Sequence, residues 1–554
     1  MIVRAAAGVA AGIVTLGTAE LLAGVLEPAA SPLRLLGDAV VDHAPRGPRE
    51  WAIETFGTAD KIVLVVAVLV VAVLVSAVAG VLGRAGAAVF AVFGVGVVAL
   101  AVAEAGVFAA VPTVVGVAAG MWVLLRAVDG SRAGSATRRG TGMSEQVADA
   151  GVNRAAADTR PRERMGDVAG RAGDDAASAG GESPSVGSAA TSAGREAGGA
   201  ERRRVLRGLA LATSAGIAAG LAGRALAALR TDVSGERAGI ALPPAREPLP
   251  ETPFGADLRT PGITPYLTPN AEFYRIDTAI TVPQVSIEDW SLRIHGMVER
   301  EIILRWGDLA SRPAVERLTT LACVSNPVGG DLIGNARWLG YRLDALLAEA
   351  RPLAGADMVL SRSVDGWTAG SPLGALTDGR DALLAIGMNG EPLPVAHGYP
   401  ARLVVPGLYG YVSATKWVTE LEVTRFDRAT AYWTKLGWAA EGPIKTGTRI
   451  DTPAASARLK PGRISVAGVA WAQHRGIAAV EVQVDDGPWG QARLAADVSV
   501  DTWRQWVYEW DATPGPHTLR ARATDGAGAV QTAEVAAAVP DGASGYPAVF
   551  VRVG

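Results

Sequence analysis

The sequence predicts a multi-domain chain: an N-terminal α-helical transmembrane region, then an α+β domain, then a C-terminal all-β sandwich. Charge-free stretches run between Lys61 and Arg84, Arg84 and Glu104, and Glu104 and Arg126. Each is about the length that crosses a hydrocarbon core of roughly 30 Å. Short apolar strands broken by Gly, Asn and Pro turns follow Thr264, and from about Thr452 strands alternate with turns every ten residues or so.

At 554 residues the chain is too long for one ordinary domain. Its net charge of −3 leaves no footprint for nucleic acid. The apolar excess lies in the first 130 residues or so, which makes this a membrane protein with a soluble C-terminal half. The one cysteine, Cys323, excludes an intrachain disulfide.

Residues 1–128 carry four expected spans. The first, 5–26, is interrupted by Glu20, a carboxylate that is costly in lipid unless it lies near the headgroups. Residues 129–204 are Ala, Gly, Ser, Arg and Asp and read as a disordered, solvated linker. Arg202, Arg203 and Arg204 then precede a fifth apolar run, 205–229. This is either a twin-arginine export signal inside the chain or a membrane helix with a basic flank. By the positive-inside rule Arg84, Arg126, Arg132, Arg138, Arg139 and Arg202–Arg204 are cytoplasmic, so the fifth run carries the C-terminal half outside. A Pro-rich connector, 230–260, is expected to be extended.

Residues 261–450 hold the chemistry. Residues 318–322 read as a buried strand that ends at Cys323. Asn326-Pro327 and Gly329-Gly330 force a turn, 334–338 reads as a second loop, and Leu343, Leu346 and Leu347 line one face of a helix. A thiol at a strand end is either inert and buried or placed to meet a cofactor. His397 and Arg402 can grip an anion, and guanidinium geometry suits phosphate. Ser413 and Lys416, after Tyr409-Gly410-Tyr411, offer hydroxyl, ammonium and backbone donors for the same purpose. From 451 to 554 the alternation of Val480, Val482 and Val484, and of Leu519, Ala521 and Ala523, indicates an immunoglobulin-like sandwich. Trp471, Trp489, Trp503, Trp506 and Trp510 would fill its core.

The run CVSNPVGGDLIGNARW at 323–338, followed by HGYPARLVVPGLYGYVSATKW at 397–417, resembles the sulfite oxidase-like family of molybdopterin enzymes. The resemblance covers roughly the last 290 residues. It implies that Cys323 is the thiolate ligand to molybdenum, which suits a soft, sulfur-ligated metal. It further implies that Asn270, Phe273 and Tyr274 touch the pterin, that Ser363 and Ser371 supply hydroxyls, and that His397, Arg402, Ser413 and Lys416 hold the cofactor. The sandwich resembles the family's dimerisation domain and suggests a homodimer.

The chain departs from sulfite oxidases where they surround an anion with arginines. None follows Cys323 closely, and none lies between Gln531 and Val549. Arg275 is the candidate that remains. The expected function is therefore extracytoplasmic, molybdopterin-dependent oxygen-atom transfer on a small sulfur- or nitrogen-oxo compound. The alternatives are a membrane-anchored binding module and acyl transfer by a Cys323 nucleophile. The histidines, at 43, 295, 397, 474 and 517, lie outside the apolar runs. No haem or iron–sulfur cluster is expected, and electrons need a separate electron-transfer protein or a quinone-linked membrane protein.

Overall fold

The computed structural model describes residues 1–45, 47–48, 51, 55–56, 60–129 and 186–554. The chain divides into two units, Met1–Arg230 and Thr231–Gly554.

The first unit contains α1 (Ile2–Leu26), α2 (Pro32–His43), α3 (Asp60–Leu82), α4 (Arg84–Ala105), α5 (Val107–Asp129) and α6 (Val186–Thr231). Among the described residues, five helices are long and apolar enough to cross a membrane, judged by length and composition: Ile2–Leu26, Lys61–Leu82, Arg84–Glu104, Val107–Asp129 and Arg203–Gly239. Glycine lets α1 approach its neighbours at backbone distance. A Cβ at Gly8 would strike Ser76 and Gly80 of α3, one at Gly17 would strike Gly216 of α6, and one at Gly24 would strike Gly223. Glu20 has a structural task. Its buried carboxylate accepts from Ser31 Oγ (2.8 Å) and Leu33 N (3.0 Å), so it satisfies free donors at the start of α2.

Most of the linker expected at 129–204, namely 130–185, lies outside the described residues. From Val186, however, the chain is already helical and continues to Thr231. Alanine, the best helix former, is frequent there, and low hydrophobicity alone did not prevent the helix.

The second unit opens with a short helix, α7 (Ser234–Gly239). The connector, expected to be extended, is therefore helical near its start, and it is pinned: Glu236 accepts from Ser286 Oγ (2.6 Å) and Ile287 N (3.0 Å), and Arg246 N donates to Ala314 O (2.7 Å). The mixed domain contains β1 (Ser291–Gly296), β2 (Ile302–Arg305), β3 (Val315–Ala322), β4 (Ile333–Arg342), α8 (Leu343–Ala350), β5 (Met358–Ser363), β6 (Thr368–Pro372), β7 (Leu383–Met388), β8 (Glu391–Pro392), β9 (Arg402–Val404) and β10 (Val418–Thr424). One sheet runs β2-β1-β10-β5-β6. The other runs β3-β4-β7-β8, with β9 also paired to β7. Leu343, Leu346 and Leu347 of α8 are fully or almost fully buried.

Residues 334–338 are not a loop. They lie inside β4, with Asn335 paired to Thr320 across the ladder. Asn335 is buried there as a cross-link, accepting from Thr320 Oγ1 (3.0 Å) and donating to Tyr266 O (2.9 Å). Gly334 serves packing instead of turning, because a Cβ would sit 2.7 Å from the Phe273 ring.

The sandwich contains β11 (Gly447–Thr452), β12 (Arg458–Leu459), β13 (Gly462–Trp471), β14 (Ile477–Val484), β15 (Trp489–Gln491), β16 (Arg493–Leu494), β17 (Arg504–Ala512), β18 (Gly515–Asp525) and β19 (Ala548–Val553). Its sheets run β11-β13-β17-β16 and β12-β19-β18-β14-β15. The five tryptophans do not share one core. Trp506 and Trp510 pack inside the sandwich, whereas Trp471 and Trp503 join the core of the mixed domain. Trp489 lies on edge strand β15, under Arg522 and beside Tyr546.

This seam fixes the strand that leads to Cys323. In its sheet β3 is an edge strand, which leaves one row of backbone groups in need of partners. Thr320 N donates to Asp501 O (2.9 Å), Thr320 O accepts from Gln473 Nε2 (3.0 Å), and Thr320 Oγ1 accepts from Trp503 N (2.8 Å).

Candidate cofactor site

Cys323 follows the last residue of β3. Its N–H donates to Leu332 O (2.9 Å) and its carbonyl accepts from Asn326 N (3.1 Å), so the turn is tied on both sides. The thiol lines a cavity with Phe273, Tyr274, Ser363, His397, Arg402 and Lys416. Seven of the expected residues thus meet, although they are spread along the chain from 273 to 416.

Two cations, Arg402 and Lys416, line the cavity. Arg402 is buried and donates only to backbone oxygens, those of His397 (3.2 Å), Ala414 (3.4 Å) and Leu403 (3.4 Å). Its guanidinium stacks 5.1 Å from the Trp338 ring, and among the described residues it has no ion pair with a carboxylate. Burial lowers its pKa to about 10, which still leaves it charged at neutral pH. Lys416 Nζ meets Asp277 Oδ2 at 2.6 Å and lies 4.9 Å over Trp417. Burial lowers its pKa to about 8, against the pull of Asp277. Arg275 holds the same carboxylate at 2.8 Å. The charged side chains of the lining are thus Arg402, Lys416, Asp277 and Asp365, while Arg275 grips Asp277 from outside the lining.

His397 adds no charge. Burial, then Arg402 and Lys416, push its pKa down to about 4. Its Nε2 donates to Asn270 O (3.2 Å), which leaves Nδ1 as the unprotonated nitrogen. Burial raises the Cys323 thiol, while Ser325 donors and Lys416 oppose it.

Asn270, Arg275 and Ser413 do not line the cavity. The Asn270 side chain donates to Glu391 Oε1 (2.6 Å) and accepts from Asn389 Nδ2 (2.8 Å), so only its carbonyl reaches toward the site, through His397. Ser413 Oγ donates back to Tyr409 O (2.9 Å) inside its own turn. Ser371 likewise donates to Val412 O (2.6 Å). Asp277, Asp365, Trp367, Trp433 and Trp438 line the cavity without having been anticipated. Asp277 lies 139 residues before Lys416, and nothing local announces that pairing.

An anionic, hydrogen-bonding cofactor fits these residues. Arg402 is a buried cation without a carboxylate among the described residues, and Ser363 Oγ is a buried hydroxyl with no partner among them, in the lining of the same cavity as the thiol.

Comparison with known proteins agrees with the geometry. Residues 279–433 match the oxidoreductase molybdopterin-binding domain, and residues 448–535 match a bacterial Ig domain. The uncharacterized oxidoreductase YuiH of Bacillus subtilis is 31% identical over 153 residues, covering 28% of this chain and 74% of its own length. The chain belongs to the sulfite oxidase-like family of molybdopterin-dependent oxidoreductases. Sulfite oxidase of Gallus gallus is 31% identical over 293 residues, covering 45% of this chain and 63% of its own. The mouse mitochondrial enzyme is 27% identical, with 46% and 55% covered, so the chain spans between half and two thirds of these relatives. The sulfane dehydrogenase SoxCD of Paracoccus pantotrophus superposes with a TM-score of 0.47 at 22% identity, covering 58% of this chain and 92% of that one.

Proposed function

We propose that the chain is a membrane-anchored, extracytoplasmic oxidoreductase that transfers an oxygen atom to or from a small sulfur- or nitrogen-oxo compound. Molybdopterin supplies the two-electron chemistry when bound. Cys323 supplies the protein's thiolate to the metal. Arg402 and Lys416 hold the cofactor's phosphate, Ser363 gives it a hydrogen bond, and Phe273 and Tyr274 wall the pterin. His397 is neutral and keeps Nδ1 available as an acceptor. Arg275 acts through Asp277, which sets the orientation of Lys416.

The observation that carries this reading is the unneutralised Arg402 guanidinium, in one cavity with the orphan Ser363 hydroxyl and the Cys323 thiol. Buried charges are ordinarily paired, so this arrangement suits an anionic partner. The helices anchor the chain, the arginine bias sets the catalytic half outside, and a separate redox protein or quinone-linked membrane protein exchanges the electrons. The sandwich mediates a homodimer.

The test is metal and pterin analysis of the purified protein. Molybdenum near one per chain in the wild type, lost together with pterin in Arg402→Met, supports the reading. Wild-type protein free of molybdenum after expression in a cofactor-competent host overturns it.

A further inference from the structure

Cys323 is common to the linings of two cavities. The second has a volume of about 230 Å³ and lies where the turn after Cys323 meets the sandwich. Its wall is largely uncharged, with Val328, Trp471 and Val530 among its apolar residues, and Lys445 is the one charged side chain in its lining. That charge is already neutralised: Lys445 Nζ donates to Asp541 Oδ1 (2.9 Å) and to Gly542 O (2.7 Å). In the first cavity, by contrast, the buried Arg402 guanidinium meets only backbone oxygens and no carboxylate among the described residues.

Tyr409 is the polar group best placed for a ligand in this second cavity. Its ring is buried, and its hydroxyl accepts a long bond from Lys445 N (3.4 Å) but donates to no group among the described residues. Burial, with a contribution from Asp541, raises the phenol to about 12, so it remains a donor at neutral pH. A side chain at position 542 would sit on that hydroxyl, and the residue there is glycine, with a φ of +101°.

We propose that this second cavity receives the substrate, that Tyr409 donates a hydrogen bond to its oxo oxygen, and that the Lys445–Asp541 pair selects an uncharged oxo compound over an oxyanion. The proposal rests on the reading of Cys323 as the metal ligand, because that role puts the reacting centre beside this cavity. An oxyanion entering here would lose its hydration and find its one candidate cation neutralised, whereas a sulfoxide needs a single donor. For a dialkyl sulfoxide the net change consumes two electrons and two protons and yields the dialkyl sulfide and one water. The S–O bond breaks, sulfur is reduced, oxygen leaves as water, and the electrons come from a one-electron donor such as a reduced viologen or a redox protein.

The experiment is calorimetric titration of molybdenum-loaded protein with dimethyl sulfoxide, sulfite and sulfate, with metal content measured on each sample. Wild type should bind dimethyl sulfoxide and neither anion. Tyr409→Phe should weaken dimethyl sulfoxide binding by about tenfold, the loss of one well-placed hydrogen bond. Asp541→Asn frees the ammonium and should make sulfate binding measurable. Loaded wild type that prefers sulfite, or an unchanged dimethyl sulfoxide affinity in Tyr409→Phe, overturns this proposal alone. Wild type without molybdenum overturns the parent reading and this one with it.

Discussion

Lys416 and Asp277, 139 residues apart in sequence, meet at 2.6 Å with both side chains almost excluded from solvent. Arg275 shares the carboxylate from a position about one third exposed. The two cations therefore differ in what they lose when Asp277 is removed. A buried partner left unpaired costs several kcal/mol, whereas an exposed one costs little.

Asp277→Ala is expected to destabilise the cofactor-free protein by roughly 3 kcal/mol. Arg275→Ala, which leaves the buried pair intact, should cost about 1 kcal/mol or less. Urea unfolding of the purified protein, followed by tryptophan fluorescence, measures both. Equal losses in the two variants would show that Lys416 does not depend on Asp277 in the way its burial implies.

Lys416 also makes the site sensitive to pH. Its folded pKa is about 8, against roughly 10.4 in an unfolded chain. Between these values the unfolded state binds more protons, so this group makes cofactor-free stability rise with pH; below about 8 its penalty is fully present. Anion binding follows the opposite trend, because the ammonium is lost as pH rises through about 8. Inorganic phosphate affinity, measured as the difference between wild type and Lys416→Met, should therefore fall from about pH 7 to about pH 9 while stability gains. Parallel trends in the two quantities would contradict the assignment.

Ser363→Ala should separate stability from binding. The hydroxyl is buried without a partner among the described residues, a state that costs about 1–3 kcal/mol. Its removal is expected to leave the cofactor-free protein as stable as wild type or more so, and yet to lower molybdopterin retention after gel filtration. A variant that is less stable without cofactor would mean that Ser363 serves the fold instead.

What the sequence made legible, and what it hid, follows from the range of each interaction. The strand before Cys323, the turn after it and the α8 stripe of Leu343, Leu346 and Leu347 are local patterns, and they appear as read. Arg402 and Lys416 could be singled out because a motif carries them. Their partners could not, since Asp277 and Trp338 are brought in by tertiary packing. The errors share one cause. Gly334 and Asn335 have turn chemistry, but a Phe273 ring and a buried cross-link to Thr320 use the same properties inside a strand. Trp471 and Trp503 belong to the sandwich in sequence and to the mixed domain's core in space, a seam that alternation along one strand does not reveal.

The last prediction concerns the fifth apolar run, which by sequence is either a removable export signal or a retained span. A cleavable signal has no reason to fit its neighbours closely. Here Gly216 and Gly223 of α6 lie against Gly17 and Gly24 of α1, with no room for a Cβ at either contact. Arg230 donates to the carbonyls of Gly24 and Val25, capping the C-terminal end of α1. Such glycine contacts are how helices gain packing in lipid, where burial away from water contributes nothing between them. The run should therefore remain in the mature protein. Intact mass of the chain extracted from membranes should include residues 205–229. Gly216→Leu together with Gly223→Leu should lower the thermal stability of the detergent-solubilised protein without altering its molybdenum content. A mature chain that begins after residue 229 would show that α6 is a signal and that its fit to α1 plays no part in the working enzyme.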